Sequence, residues 1–178
     1  MNRVMKLLSI PATALLLLAG CTGVPDGIEP VGNFDADKYL GTWYEIARLD
    51  HSFEDGLSRV TAEYSLNDDG SIRVLNRGYN QADDSWEEAE GRAVFTGSRS
   101  VGHLKVSFFG PFYSSYVVFD LDDAYSRAYV SGYNRDYLWL LSRTPQVSDA
   151  ELEAFRDRAR AAGFDVDELI IVDHPTAP

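Results

Sequence analysis

From residue 43 to residue 143 the chain alternates short apolar-rich runs with turn residues, and no helical spacing interrupts them. The pattern predicts eight strands, at 43–49, 59–66, 71–79, 86–95, 103–108, 113–121, 125–132 and 137–143. Period-two alternation is clear in Val60, Ala62, Tyr64 and Leu66, and again in Leu104, Val106 and Phe108. It is weaker over 86–95, where Ala89, Gly91 and Ala93 take the inner face because Glu88, Glu90 and Arg92 occupy the other. Asn67-Asp68-Asp69-Gly70 is a tight-turn signal, since these residue types tolerate positive φ. A short turn is expected over 35–40.

The period changes only after the last of these strands. Ser148-Asp149-Ala150-Glu151 is a capping-box pattern, and Leu152, Phe155, Ala159 and Ala162 form one apolar stripe at helical spacing. Gly163 suits the C′ position. Leu169-Ile170-Ile171-Val172 predicts a short ninth strand that ends before Pro175. The helix is expected to prop the sheet from outside.

An all-β fold follows: an eight-stranded up-and-down antiparallel barrel with one C-terminal helix and a short ninth strand. Closure removes both exposed edges of such a meander. It also brings the first and last strands together, so Gly41, Trp43 and Arg143 meet at one end, where the guanidinium covers the indole and plugs a floor. The opposite end then carries the connections at 51–58, 80–85, 109–112 and 133–136, which read as longer and richer in aromatics and would form a mouth. With Arg143 turned inward, alternation places Leu141, Trp139 and Tyr137 on the inner face. The same rule turns Val60, Ala62, Tyr64, Leu66, Ile72, Val74, Asn76, Leu104, Val106 and Phe108 inward. The run 113–121 fits either register, and Tyr116 and Val118 are taken as inward. The candidate cavity is therefore Val60, Ala62, Tyr64, Val74, Asn76, Leu104, Val106, Phe108, Tyr116, Tyr137 and Trp139.

Composition agrees with one domain and adds a location. The 178 residues are 45% hydrophobic, and their ten Tyr, nine Phe and three Trp suit a half-buried sheet. Arg3 and Lys6, an apolar stretch over 7–18 and Ala19-Gly20 read as an export signal over 1–20, too short to span a bilayer. The formal net charge of −12 becomes −14 once that segment is removed, which disfavours nucleic acid and anionic membrane surfaces as partners. Leu18-Ala19-Gly20-Cys21, holding the one cysteine of the chain, resembles the bacterial lipobox. That resemblance implies cleavage before Cys21, which would carry a thioether-linked diacylglycerol and an N-acyl chain such as palmitate, and the absence of Asp at Thr22 implies the outer membrane. Residues 21–33, with Pro25, Gly27, Pro30 and Gly32, read as a lipidated tether ahead of a barrel domain over 34–174.

Chemistry is thinly represented. His51, His103 and His174 lack the spacing of a metal site, no Gly-x-Ser-x-Gly elbow occurs, and no cofactor is implied. A catalytic role would fall to the inward-facing Glu45, and the reading without catalysis is preferred.

Several separate stretches resemble the lipocalins. Gly41-Thr42-Trp43-Tyr44-Glu45-Ile46-Ala47-Arg48 and Leu141-Ser142-Arg143-Thr144-Pro145 look like the first and third signature regions of that family, and Leu121-Asp122-Asp123 with Tyr125 approximates the middle one. Asn76-Arg77-Gly78-Tyr79-Asn80, the run 105–113 and Arg135-Asp136-Tyr137-Leu138-Trp139 are similar to the bacterial outer-membrane branch, relatives of apolipoprotein D. The resemblance implies a calyx that holds or transfers fatty acids or lysophospholipids, anchored on the periplasmic face of the outer membrane and serving envelope maintenance. An envelope adaptor that binds a protein through the rim, a lipid-modifying enzyme and a homodimer remain as alternatives.

Overall fold

The computed structural model describes residues 21–175; the predicted export signal over 1–20 lies outside the described residues. Strands β1 (Gly41–Arg48), β2 (Leu57–Leu66), β3 (Ile72–Asn80), β4 (Ser85–Phe95), β5 (His103–Phe109), β6 (Phe112–Leu121), β7 (Arg127–Ser131) and β8 (Leu138–Ser142) pair antiparallel in chain order. Pairing of β1 with both β8 and β2 closes the barrel. A ninth strand, β9 (Ile170–Ile171), adds to the upper half of β1 at Ala47 and Arg48, where β2 has diverged. Among the described residues, the nine strands and the buried members of both core clusters fall between Ile28 and Ile171.

Two apolar layers share the sheet. Inside the barrel Trp43, Tyr64, Ile72, Val74, Leu104, Val118, Val130 and Leu141 form one buried cluster. Outside it, helix α2 (Asp149–Ala161) lays Phe155 and Ala159, both fully buried, against Ala47, Val117, Phe119, Leu138 and Leu140. Burial of a side chain such as Phe155 is worth about 1.5–3 kcal/mol. The predicted capping box is formed: the Ser148 hydroxyl accepts from the Glu151 amide, and the Ser148 amide donates to the Glu151 carboxylate. Gly163 follows with φ +86°, closing the helix as a left-handed residue.

The pattern and the structure differ in instructive places. The run 35–40 is a helical turn, α1 (Ala36–Tyr39), capped by the Asp35 carboxylate. Strand β7 starts at Arg127 and not Tyr125, because Asp122 accepts from the amides of both Ser126 and Arg127 and holds Tyr125 at φ +54° in a turn. Leu66, read as inward, ends β2 half exposed beyond the packed interior. The mouth connections are not uniformly longer: β5 and β6 are joined by Gly110-Pro111 alone, whereas the floor connection between β4 and β5 spans 96–102.

Residues 21–33 are not a slack tether. The Ser115 amide donates to the Cys21 carbonyl (2.8 Å), and the Val31 amide donates to the Val118 carbonyl (2.9 Å). Between these points Ile28 is buried with the helix-side cluster. The short β7 leaves the upper edge of β6 open, and Cys21 and Gly23 take it at Ser115, while Val31 bonds Val118 and Gly102 beside the β4–β5 connection. Cys21, itself exposed, is thereby held near the mouth end of β6, three residues from Phe112 in strand numbering.

Candidate ligand-binding calyx

At the floor, Arg143 spends its guanidinium on the main chain. Nη1 donates to the Thr42 carbonyl (2.8 Å), Nη2 to those of Lys38 (2.8 Å) and Leu40 (2.8 Å), and Nε to that of Tyr125 (3.2 Å). Its Cζ lies over the Trp43 ring, 3.9 Å from the ring centre, and Trp43 Nε1 donates to the Tyr39 carbonyl (2.8 Å). Gly41 holds φ +94° beside Arg143 Nη1, a conformation in which a Cβ would be strained. Carbonyls released at the end of α1 are thus capped by a residue from the far end of the sheet.

Above this plug three phenols converge. Tyr116 shares hydrogen bonds with Tyr39 (2.7 Å) and Tyr64 (2.9 Å). Three hydroxyl protons serve two bonds, so one remains for a further acceptor. Burial pushes all three phenols up, which keeps them neutral.

The interior cluster contains Ala62, Tyr64, Val74, Leu104, Val106, Phe108, Tyr116 and Trp139 together with Trp43. Val60 is buried but outside that cluster, and Asn76 Oδ1 is buried without a hydrogen-bond partner. Tyr137 is not on a strand; it precedes β8 and is half-buried at the rim, stacked with Trp139 and Phe53. Phe108 lies flat over Gly91, where a Cβ would stand 2.8 Å from its ring. Ala89 pairs with inward Asn76 yet is exposed, and Val106, Tyr116 and Ala62 are only partly covered. Inner-face positions that touch solvent while outer-face Val117, Leu138 and Leu140 do not mark a hollow wall.

A polar cluster that alternation did not reveal sits near the mouth. A β-bulge between Glu45 and Ala47 turns Ala47 out to the helix and Arg48 in, so Glu45 and Arg48 both face the interior. Arg48 Nη1 donates to Glu45 Oε1 (2.8 Å), and Nη2 donates to the Glu54 carbonyl (2.8 Å). Trp139 Nε1 donates to Glu54 Oε2 (3.2 Å). Burial and the neighbouring Glu54 push the Glu45 carboxyl well up, against the pull of Arg48. Two consecutive apolar residues, Ile46 and Ala47, just before the charge at Arg48 are the only sequence trace of this bulge. The mouth itself exposes Phe53, Trp86, Phe109 and Phe112. Among the described residues no group of His, Cys, Asp and Glu is arranged for a metal ion.

Comparisons with known proteins agree with this geometry. Residues 34–174 match the lipocalin-like domain. The outer membrane lipoprotein Blc of Vibrio cholerae is 57% identical over 158 residues, covering 88% of this chain and 92% of its own. Blc of Escherichia coli K12 is 52% identical over 166 residues, covering 92% and 94%, and bovine apolipoprotein D is 31% identical over 187 residues, covering 95% and 98%. Among solved structures, insecticyanin of the tobacco hornworm superposes with a TM-score of 0.68 at 20% identity, over 86% of this chain and 87% of that one. A closed, hollow, eight-stranded barrel with an Arg–Trp floor and these relatives leaves one assignment: the chain belongs to the lipocalin family, in the branch of the bacterial Blc lipoproteins.

Proposed function

We propose that the chain is a carrier for single-chain lipids, fatty acids or lysophospholipids, tethered through acylated Cys21 to the periplasmic face of the outer membrane, where it stores or transfers envelope lipid without chemistry. The observation that carries this reading is the hollow inner wall, apolar through its lower part and opening past the Glu45–Arg48–Glu54 cluster at the end where Cys21 is held. Exposed Phe109 and Phe112 stand at that same end and suit contact with acyl chains. An anchor on Cys21 therefore turns the mouth toward the leaflet from which a cargo would enter. Burial of roughly 14 methylenes at about 0.8 kcal/mol each, less at least about 4 kcal/mol of ordering cost, gives micromolar affinity or somewhat better.

Titration of the delipidated chain from Thr22 onward with a fatty acid or a lysophospholipid should quench tryptophan fluorescence saturably. Absence of saturable binding would overturn the carrier and favour an adaptor role for the rim. Recovery of altered lipid would overturn the purely carrying role. Cys21→Ser should move the protein from the membrane pellet to the soluble periplasm, and continued membrane association would refute the anchor.

A further inference from the structure

The β1–β2 connection, residues 49–56, is not part of the barrel wall, yet it sends a carboxylate into the interior. Glu54 is 6% exposed and lies against donors carried by the wall and by its own loop. Trp139 Nε1 reaches Glu54 Oε2 at 3.2 Å, and His51 Nε2 stands 3.0 Å from the same oxygen. Arg48, 2% exposed, holds the Glu54 carbonyl, while its Nε has no hydrogen-bond partner. The His51 side chain is 5% exposed, and neither of its ring nitrogens makes a well-aligned hydrogen bond. Buried donors left unspent are costly unless a ligand completes them.

We propose that Glu54 occupies a binding site for the anionic head of an amphiphile, a carboxylate or a phosphate, and that such a head exchanges with Glu54 and releases the 49–56 loop. This inference rests on the carrier reading above, since the acyl chain must fill the calyx. Charge explains why the exchange is feasible. One anion leaves and one enters, so Glu45, Arg48 and the nearby Tyr64 keep the same net neighbour. The incoming head also meets Arg48 Nε, which stays on β1 and which Glu54 leaves unspent. With the polar part of the swap near balance, chain burial decides the equilibrium. A neutral head has no such advantage and leaves Glu54 in place.

The loop is built to let go. Beyond Leu49, whose amide ties the start of the loop to the Leu138 carbonyl, its backbone bonds are those from the Glu54 amide to the His51 carbonyl and from the Leu57 amide to the Glu54 carbonyl. Gly56 at φ +73° and the register shift between Ser58 and Thr61 give it a bend where it joins β2. Phe53, 57% exposed, rides on the His51 ring and would move with it.

The test compares decanoate, decyl phosphate and decan-1-ol on the chain from Thr22 onward, wild type and Glu54→Gln. The glutamine keeps the size but ends the competition, so affinity for the two anions should rise roughly tenfold while that for decanol stays within about twofold. Binding of decanoate to the wild type should also speed amide exchange at Glu54 and Leu57, and decanol should not. A rise for decanoate alone assigns the site to carboxylates, and a rise for decyl phosphate alone assigns it to phosphates. An unchanged anion-to-alcohol ratio with unchanged loop exchange overturns the proposal while leaving the carrier intact. Failure of all three probes to bind the wild type overturns the carrier itself. Should Glu54→Gln not fold, the wild-type exchange comparison decides alone: faster amide exchange at Glu54 and Leu57 with decanoate but not decanol supports the exchange, and equal exchange with both overturns it.

Discussion

Arg143→Lys isolates the geometry of the floor from its charge. The guanidinium reaches carbonyls in three directions, at Thr42, at Lys38 and Leu40, and at Tyr125. An ammonium offers its donors from one point and lacks the planar group whose Cζ lies 3.9 Å from the Trp43 ring centre. Two of these bonds should be lost. Charged hydrogen bonds contribute about 1.5–3 kcal/mol when buried, and the partial exposure of Arg143 brings each nearer 1. With a weaker cation–π contact the total is about 2–3 kcal/mol. For a domain of this size that corresponds to a fall of about 5–10 °C in Tm. Urea denaturation should show a lower midpoint with an unchanged slope. Decanoate affinity should stay within about twofold, because no donor of Arg143 points to the interior. An unchanged midpoint, or lost binding at full stability, would refute the reading of this pair as a plug.

Other consequences are open to equally direct measurement. Phe155→Ala removes a fully buried ring between α2 and the outer face of the sheet, and should cost about 3–5 kcal/mol in the same assay without changing ligand preference. Gly91→Ala places a methyl 2.8 Å from the Phe108 ring and 3.0 Å from the Ser107 carbonyl oxygen, and should push that ring into the calyx, weakening long-chain ligands by several-fold at a stability cost of about 1–3 kcal/mol. Glu45 holds its proton more tightly folded than unfolded, so its contribution to stability is present below the ordinary carboxylate range near 4.5 and is lost as pH rises through its elevated folded value. The difference in stability between wild type and Glu45→Gln, followed by urea midpoints, should therefore shift against the wild type with rising pH; a constant difference would refute the assignment.

The barrel was legible because it depends on local signals: alternation in Leu104, Val106 and Phe108, turn residues at Asn67–Gly70, and a capping box at Ser148. The floor was legible because strand parity alone brings residue 43 to residue 143. Failures occurred where long-range hydrogen bonds override period. Pro25, Gly27, Pro30 and Gly32 suggest slack, yet residues 21–33 dock because β7 is too short to cover the edge of β6, which only the finished sheet reveals. Tyr125 and Tyr137 have strand composition, but an Asp122-centred turn and a rim stack remove them from their strands. The mouth cluster was hidden by one residue of bulge, after which every parity assignment on β1 reverses.

That reversal separates two arginines with similar surroundings and different roles. At the floor the Arg143 Nε and both terminal nitrogens face backbone carbonyls of α1, of β1 and of the turn before β7. Near the mouth Arg48 has Nε unspent, shares Glu45 with a second carboxylate, and holds a loop that the barrel does not need for closure. A fully satisfied network specifies one structure, whereas a partly satisfied one of similar burial is costly unless something completes it. The interior is thus graded along its axis, from a saturated plug through one spare phenol proton to an unsaturated rim. A cargo with a polar head gains most by lying chain-down, its head at the end where donors remain unused.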